Sequence, residues 1–203
     1  MRPKCTVVDE DGRLAIGKFP SVNDTRSITR GEVLALKLAR LAGIDAAPAR
    51  IVSLAEVPVT VICRFDRDGD NGRIPYQSAA SLLQASREED RSYTEIADAI
   101  RSHGHAPTQD LRQLWRRLVF NLLITNVDDH LQNHGFLHVE HGLWRLAPAL
   151  QALAVLAEVF AAVVDWRQVA LGAEVGLRAD ELDDFAAAFD HEQMDAAAVL
   201  LER

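Results

Sequence analysis

Cysteine is scarce in this chain: 203 residues hold two, Cys5 and Cys63, at a separation that fits no metal-site spacing. So few thiols argue against a disulfide framework and fit a reducing cytoplasm. Positive charge is also short. Thirty acidic side chains against 22 basic ones leave a net charge of −8, which argues against a general nucleic-acid binder while allowing local basic patches. No uninterrupted apolar run approaches the length of about 18 residues that a membrane helix needs. The start, Met1-Arg2-Pro3-Lys4, is polar and has no apolar signal region. There is no internal repeat and no low-complexity tail. These absences lead us to expect a cytoplasmic protein with no membrane partner. What the chain does have is apolar content, at 48%, and enough length for one domain with a real core or for two small lobes.

The first third has strand patterns with one helix among them. Cys5 to Val8 and Leu14 to Ile16 flank Asp11-Gly12, a hairpin signal. Thr29 and Glu32 are spaced as a capping box, Leu34, Leu38 and Leu41 share one helical face, and Gly43 supplies a C-terminal cap. Two further apolar runs, 49–54 and 57–63, predict two more strands, and the turn-rich stretch 66–72 follows. From Ser78 onward the pattern is helical. Leu111, Leu114, Trp115, Leu118, Val119, Leu122 and Leu123 form the longest helical stripe and are expected in the core. Residues 136–139 and 143–146 predict a hairpin around Glu140-His141-Gly142. An Ala-rich helix with Leu156, Val159, Phe160, Val163 and Val164 on one face follows Pro148, and a last helix covers about 179–189.

The densest polar cluster, Asn126-Val-Asp128-Asp129-His130-Leu-Gln-Asn133-His134, directly follows the long stripe. Asp128 and Asn133 have the D-x-x-x-x-N spacing of a kinase catalytic loop. There the aspartate accepts the proton of the substrate hydroxyl and the asparagine oxygen holds magnesium. A helix cap and turn would also use Asn and Asp, but the cluster holds more polar groups than a cap needs. Lys18, at a strand end, could reach phosphate oxygens, and Glu32 on the following helix could pair with it. Arg64, Phe65 and Asp66 fall where the chain would cross between lobes and line an adenine pocket. A metal-dependent hydrolase built on Asp128, Asp129, His130 and His134 is another reading, since the two histidines lie at i, i+4.

The wording of the residues goes further. Leu14-Ala-Ile-Gly-Lys18-Phe-Pro-Ser21, Gly31-Glu32, Leu38-Ala-Arg-Leu-Ala-Gly43-Ile44, Arg64-Phe65-Asp66-Arg67 and Ser78-Ala-Ala-Ser-Leu-Leu83 resemble the small lobe of the HipA family of bacterial toxin kinases. The stretch from Asn126 to Leu137 is similar to that family's catalytic loop, and Trp144-Arg-Leu-Ala-Pro148 to the strand after it. Val164-Asp-Trp-Arg-Gln-Val-Ala170 and Ala188-Phe-Asp-His191 are similar to its C-terminal helices. The resemblance implies an α+β, bilobal protein-kinase-like fold, with a small β-rich lobe over 1–70 and a mainly helical lobe over 71–203. It implies a serine/threonine protein kinase that uses ATP and magnesium as the toxin of a toxin–antitoxin pair. A helix-turn-helix antitoxin of the HipB-like type, and DNA through it, would be partners, and an aminoacyl-tRNA synthetase a substrate. By motif, Asp128 would be the base, His130 would structure the loop and Asn133 would bind magnesium. Lys18 would contact ATP phosphates, and Arg64, Phe65 and Asp66 would form the hinge.

The chain also departs from the family pattern. It begins where the family's glycine-rich loop would just have ended, so that loop and the subdomain before it are expected to be missing. Ala147-Pro148-Ala149-Leu150-Gln151 stands where the family has Ser-Pro-x-Tyr-Asp, so Gln151 replaces the second magnesium ligand, and a neutral amide is a poor substitute for a carboxylate there. Helical sequence then follows almost at once, in place of an activation segment. These departures predict an impaired or degenerate kinase. The alternative is a non-catalytic module that sequesters an antitoxin or another regulator.

Overall fold

The computed structural model describes residues 3–22, 24, 27–69, 72–86, 91–124, 126, 129–148, 160 and 162–201. Asp128, Gln151, Leu156 and Val159 lie outside the described residues. The first strands form a four-stranded antiparallel sheet from β1 (Lys4–Val8), β2 (Leu14–Lys18), β3 (Ala49–Leu54) and β4 (Val57–Cys63), in the order β1-β2-β4-β3. The hairpin expected at Asp11-Gly12 is present. Gly12 takes a positive φ of 75°, and Asp9 Oδ1 accepts the backbone N–H groups of Asp11 and Arg13 at 3.0 and 2.8 Å.

Helix α1 (Ile28–Leu41) lies on this sheet, tied at its first turn by the Thr60 hydroxyl donating to the Thr29 carbonyl at 2.9 Å. Leu34 and Leu38 are fully buried, whereas Leu41, expected on the same face, is 56% exposed. The helix stops there because Gly43, at φ 67°, lets the Gly43 and Ile44 amides turn back to the Arg40 and Ala39 carbonyls. The capping box at Thr29 and Glu32 is not formed. The helix begins at Ile28 with Ser27 as its cap residue, so Thr29 is already inside the first turn and buried. Glu32 is two residues past the position that could reach back.

The second sheet is formed by β5 (Tyr76–Ser78), β6 (Gly135–Glu140) and β7 (Leu143–Leu146), in that order. The β6–β7 hairpin was expected, but β5 was not. Around this sheet stand α2 (Ala79–Leu82), α3 (Tyr93–His103) and α4 (Pro107–Leu123). The chain ends in α5 (Trp166–Leu171), a 3₁₀ turn at Ala179–Glu181, α6 (Asp183–Phe189) and α7 (Glu192–Leu201). The expected last helix at 179–189 is thus a 3₁₀ turn followed by α6, and α7 was not foreseen. In the Ala-rich stretch Val163 is fully buried, while Val164 is 51% exposed. One core joins Leu34 and Leu38 of α1 to Phe120 and Leu123 of α4, Trp166 of α5 and Phe185 and Phe189 of α6. A second core joins Ile96 and Ile100 of α3, Leu114 of α4, Phe136 of β6 and Leu146 of β7. Among the described residues no helix is long and apolar enough to cross a membrane.

The contact between α1 and α6 yields the first prediction. A Cβ on Gly31 would lie 2.4 Å from Cε1 of Phe185, a ring buried in the shared core and unable to swing out. Gly31→Ala should therefore destabilise the fold by about 2 kcal/mol through overpacking, even though alanine favours a helix over glycine. Urea unfolding of the variant against the parent chain measures it.

Helix α4 bears out its apolar stripe in part: Leu114 and Leu123 are buried, and Leu111 and Val119 pack against the cores. Its stripe residues Trp115 and Leu122 are 39% and 60% exposed, while Asp110, Leu114, Arg117 and Asn121 point inward. These four fall at i, i+4, i+7 and i+11, so the buried face of α4 carries an acid, a base and an amide. They are accepted there because partners from distant segments meet them beneath the polar loop.

Candidate active site

Lys18 ends β2, a central strand, opposite Thr60 of β4. Its Nζ forms an ion pair with the Glu32 carboxylate on α1. The pair joins sheet and helix in the way that the strand lysine and helix glutamate of protein kinases do. Both side chains are about one-third exposed, at 32% each, so the pair adds little to stability and leaves the lysine open to a ligand.

Arg64, Phe65 and Asp66 follow β4. The Arg64 guanidinium grips Asp66 with two hydrogen bonds, Nε to Oδ1 at 2.8 Å and Nη2 to Oδ2 at 2.5 Å, and Arg67 Nη1 adds another to Oδ2 at 2.7 Å. The Arg64 hydrogen bond holds the Asp66 carboxyl below the usual carboxylate range, against the opposing effect of burial. The two charges are thus committed to each other and stiffen the turn. Phe65 is free of such a role. Its ring lies 6.1 Å from that of Tyr76, on the wall of an open cleft of about 600 Å³ lined also by Ile74, Leu137, Arg73 and Arg145.

The polar loop after α4 faces two ways. His130 and Asn133 are exposed, and the Asn133 amide donates to the His130 carbonyl at 2.8 Å in a tight turn. Asp129 and His134 turn inward. Asp129 Oδ2 accepts hydrogen bonds from Asn121 Nδ2 at 2.6 Å and from the Tyr93 hydroxyl. Its Oδ1 lies 2.9 Å from Nε2 of the buried His134, an electrostatic approach without the alignment of a full hydrogen bond. On the far side of the imidazole, Arg117 Nη1 stands 3.3 Å from Nδ1. A guanidinium can only donate, so Nδ1 is the acceptor and Nε2 carries the proton that faces Asp129. Tyr93 closes over the imidazole edge-on at 5.5 Å. The loop is further anchored by the Ala79 amide donating to the His134 carbonyl at 2.7 Å.

Arg117 is 1% exposed. Burial pushes its guanidinium down to about 9, which leaves it a cation at neutral pH. Asp110, one of its charge partners, accepts the Leu146 amide at 3.0 Å, and burial raises its carboxyl above the ordinary range. Arg117, Asn121 and Tyr93 were not singled out from the sequence as site residues. Their one signal was the spacing of Asp110, Arg117 and Asn121 on a single face of α4, which looks like a solvated side.

The described residues do not by themselves make a magnesium site. Asn133 offers one neutral oxygen, Asp129 is engaged by Asn121, Tyr93 and His134, and no cluster of three or more His, Cys, Asp or Glu suited to a metal occurs among the described residues. The hydrolase reading fails on the same geometry, because His130 faces solvent and His134 faces the core. They cannot share one ion.

The architecture is protein-kinase-like. HipA of Shewanella oneidensis MR-1, solved in complex with HipB and operator DNA, superposes with a TM-score of 0.71 at 16% identity, over 97% of this chain and 62% of that one. The Helicobacter pylori proinflammatory kinase CtkA superposes with a TM-score of 0.59, also at 16% identity, over 98% of this chain and 75% of that one. The family follows from the sequence: the model of the HipA-like C-terminal domain matches residues 1–201, and the chain belongs to that family. Two curated relatives carry kinase names. A "Putative kinase" of Haemophilus influenzae is 25% identical over 67% of this chain and 44% of its own length. The "Putative kinase Y4mE" of Sinorhizobium fredii is 26% identical over 70% of this chain and 34% of its own length. The chain therefore spans less than half the length of these relatives.

Proposed function

We propose that this chain is a serine/threonine protein kinase domain that takes magnesium-bound ATP as substrate and serves as the toxin of a toxin–antitoxin pair. The observation that carries the reading is the Lys18–Glu32 ion pair, within a chain of the HipA-like family. In this reading residues 1–70 form the nucleotide-binding lobe and residues 71–203 the catalytic lobe. Lys18 holds ATP phosphates, and Phe65, in the stiffened Arg64–Asp66 turn, lines the hinge. Asp128 accepts the proton of the substrate hydroxyl, His130 shapes the loop and Asn133 would hold the magnesium that arrives with the nucleotide. The chain works in the cytoplasm. A HipB-like helix-turn-helix antitoxin is the proposed partner, with DNA reached through it, as HipB and operator DNA accompany the Shewanella protein. An aminoacyl-tRNA synthetase is the proposed class of protein substrate.

A second reading is favoured by the polar loop itself. Among its described residues the only carboxylate, Asp129, is turned inward, which suits a kinase of reduced activity or a module that binds an antitoxin without catalysis. Thermal unfolding with ATP, with and without magnesium, tests nucleotide binding. Saturation at about a hundredfold over Kd should stabilise the fold by about 2.7 kcal/mol, a rise of roughly 5–10 °C that disappears when magnesium is chelated. A melting curve indifferent to ATP contradicts the kinase reading and leaves the binding module.

A further inference from the structure

The buried guanidinium of Arg117 touches both halves of the candidate site. Through Nη1 it meets His134, which closes the polar loop and faces Asp129, 2.9 Å away. Through Nη2 it donates to the carbonyl of Ala147, the residue just past the end of β7. Ala147 in turn donates its amide to the Gly135 carbonyl at 2.8 Å, so the loop end and the strand end also touch directly. A solvent-exposed cation would hold the two less firmly, because water competes for each donor. At 1% exposure the Arg117 guanidinium is shielded from that competition.

We propose that Arg117 is a positioning residue for the proposed phosphoryl transfer: its guanidinium braces the loop bearing Asn133 to the strand end at Ala147, so that the two move as one piece. The inference rests on reading that loop as catalytic. Its planar fork suits the task, since two donors at a fixed angle set the spacing between two acceptors. Arg117 touches no reacting atom. It acts through His134, whose Nε2 faces Asp129 at 2.9 Å, and through the backbone at Ala147.

Arg117→Lys is the informative variant. A lysine keeps a single nitrogen donor near Asp110, but it cannot span both partners. Two measurements decide. In native-state hydrogen exchange, the amides of Ala79, Asn133 and Ala147 should lose protection together, while those of Leu38 and Phe120 in the other core stay as they were. In steady-state phosphoryl transfer from magnesium-bound ATP, kcat should fall by about 10²-fold with KM for ATP little changed, since misplacing a loop by about 1 Å costs that much. Loss of protection at only one of the two segments, or none, overturns the brace. Unchanged kcat per folded molecule overturns the positioning role. A parent chain with no transfer sinks the kinase reading alone, and the exchange pattern still decides whether Arg117 couples the two segments. Arg117→Met checks the same pattern with the charge removed, and if it fails to fold the lysine variant carries the test.

Discussion

Lys18→Met is expected to lower phosphoryl transfer from magnesium-bound ATP by about 10²–10³-fold while leaving the fold nearly as stable as before. The two outcomes separate because the ion pair with Glu32 is one-third exposed at both ends. Such pairs contribute on the order of 1 kcal/mol or less, since water screens the charges and two long side chains must be ordered. Transfer is a different matter. A fixed cation beside the phosphates stabilises charge that develops as the phosphoryl group leaves, and removing one such preorganised group typically costs a hundredfold or more. The check is initial-rate kinetics beside a urea titration. A large loss of stability with little loss of rate would make Lys18 a structural residue and weaken the kinase reading.

Asp129→Leu has the opposite signature, an expected loss of about 3 kcal/mol in stability. The carboxylate receives the Asn121 amide and the Tyr93 hydroxyl on one oxygen and faces His134 on the other. Leucine fills the space but accepts nothing. It leaves the Asn121 amide buried without an acceptor, at about 1–3 kcal/mol, and removes the anion that faces the His134 imidazole, which adds to the cost. Tyr93 lies at the edge and can turn its hydroxyl to water. For a chain of this size the midpoint of thermal unfolding should drop by roughly 6–12 °C. A drop of only a degree or two would show that the inward network adds little to the fold.

The strands of the first sheet, the β6–β7 hairpin and the end of α1 at Gly43 were legible in the sequence because their causes are local. Alternating apolar residues, an Asp-Gly turn and a glycine at positive φ each act within a few residues. The Lys18–Glu32 pair was also within reach, once strand and helix were placed. β5 was not legible. Three residues pairing with Leu137, Phe136 and Gly135, some sixty positions later, leave no local pattern. The facing of α4 was legible only in part, for a similar reason: Leu114 and Leu123 of the stripe are buried, but Trp115 and Leu122 are not. Its apolar stripe through Trp115 and Leu122 outweighs the other face by count, yet Asp110, Arg117 and Asn121 are buried by partners at Leu146, Ala147, His134 and Asp129. Hydrophobic periodicity cannot show a polar face satisfied from elsewhere. The same limit applies to the polar loop. The spacing of Asp128 and Asn133 marked it as a site, but only the fold shows that Asp129 and His134 turn away from solvent while His130 and Asn133 face it.

The most direct test of the proposed function is transfer of label from γ-labelled ATP and magnesium to the chain itself or to an added protein acceptor. Asp128→Ala serves as the matched control. The kinase reading predicts transfer by the parent chain that requires magnesium and falls to background in Asp128→Ala, with the variant's unfolding curve unchanged. Absence of transfer by the parent chain at any protein concentration, or transfer that survives Asp128→Ala, contradicts it.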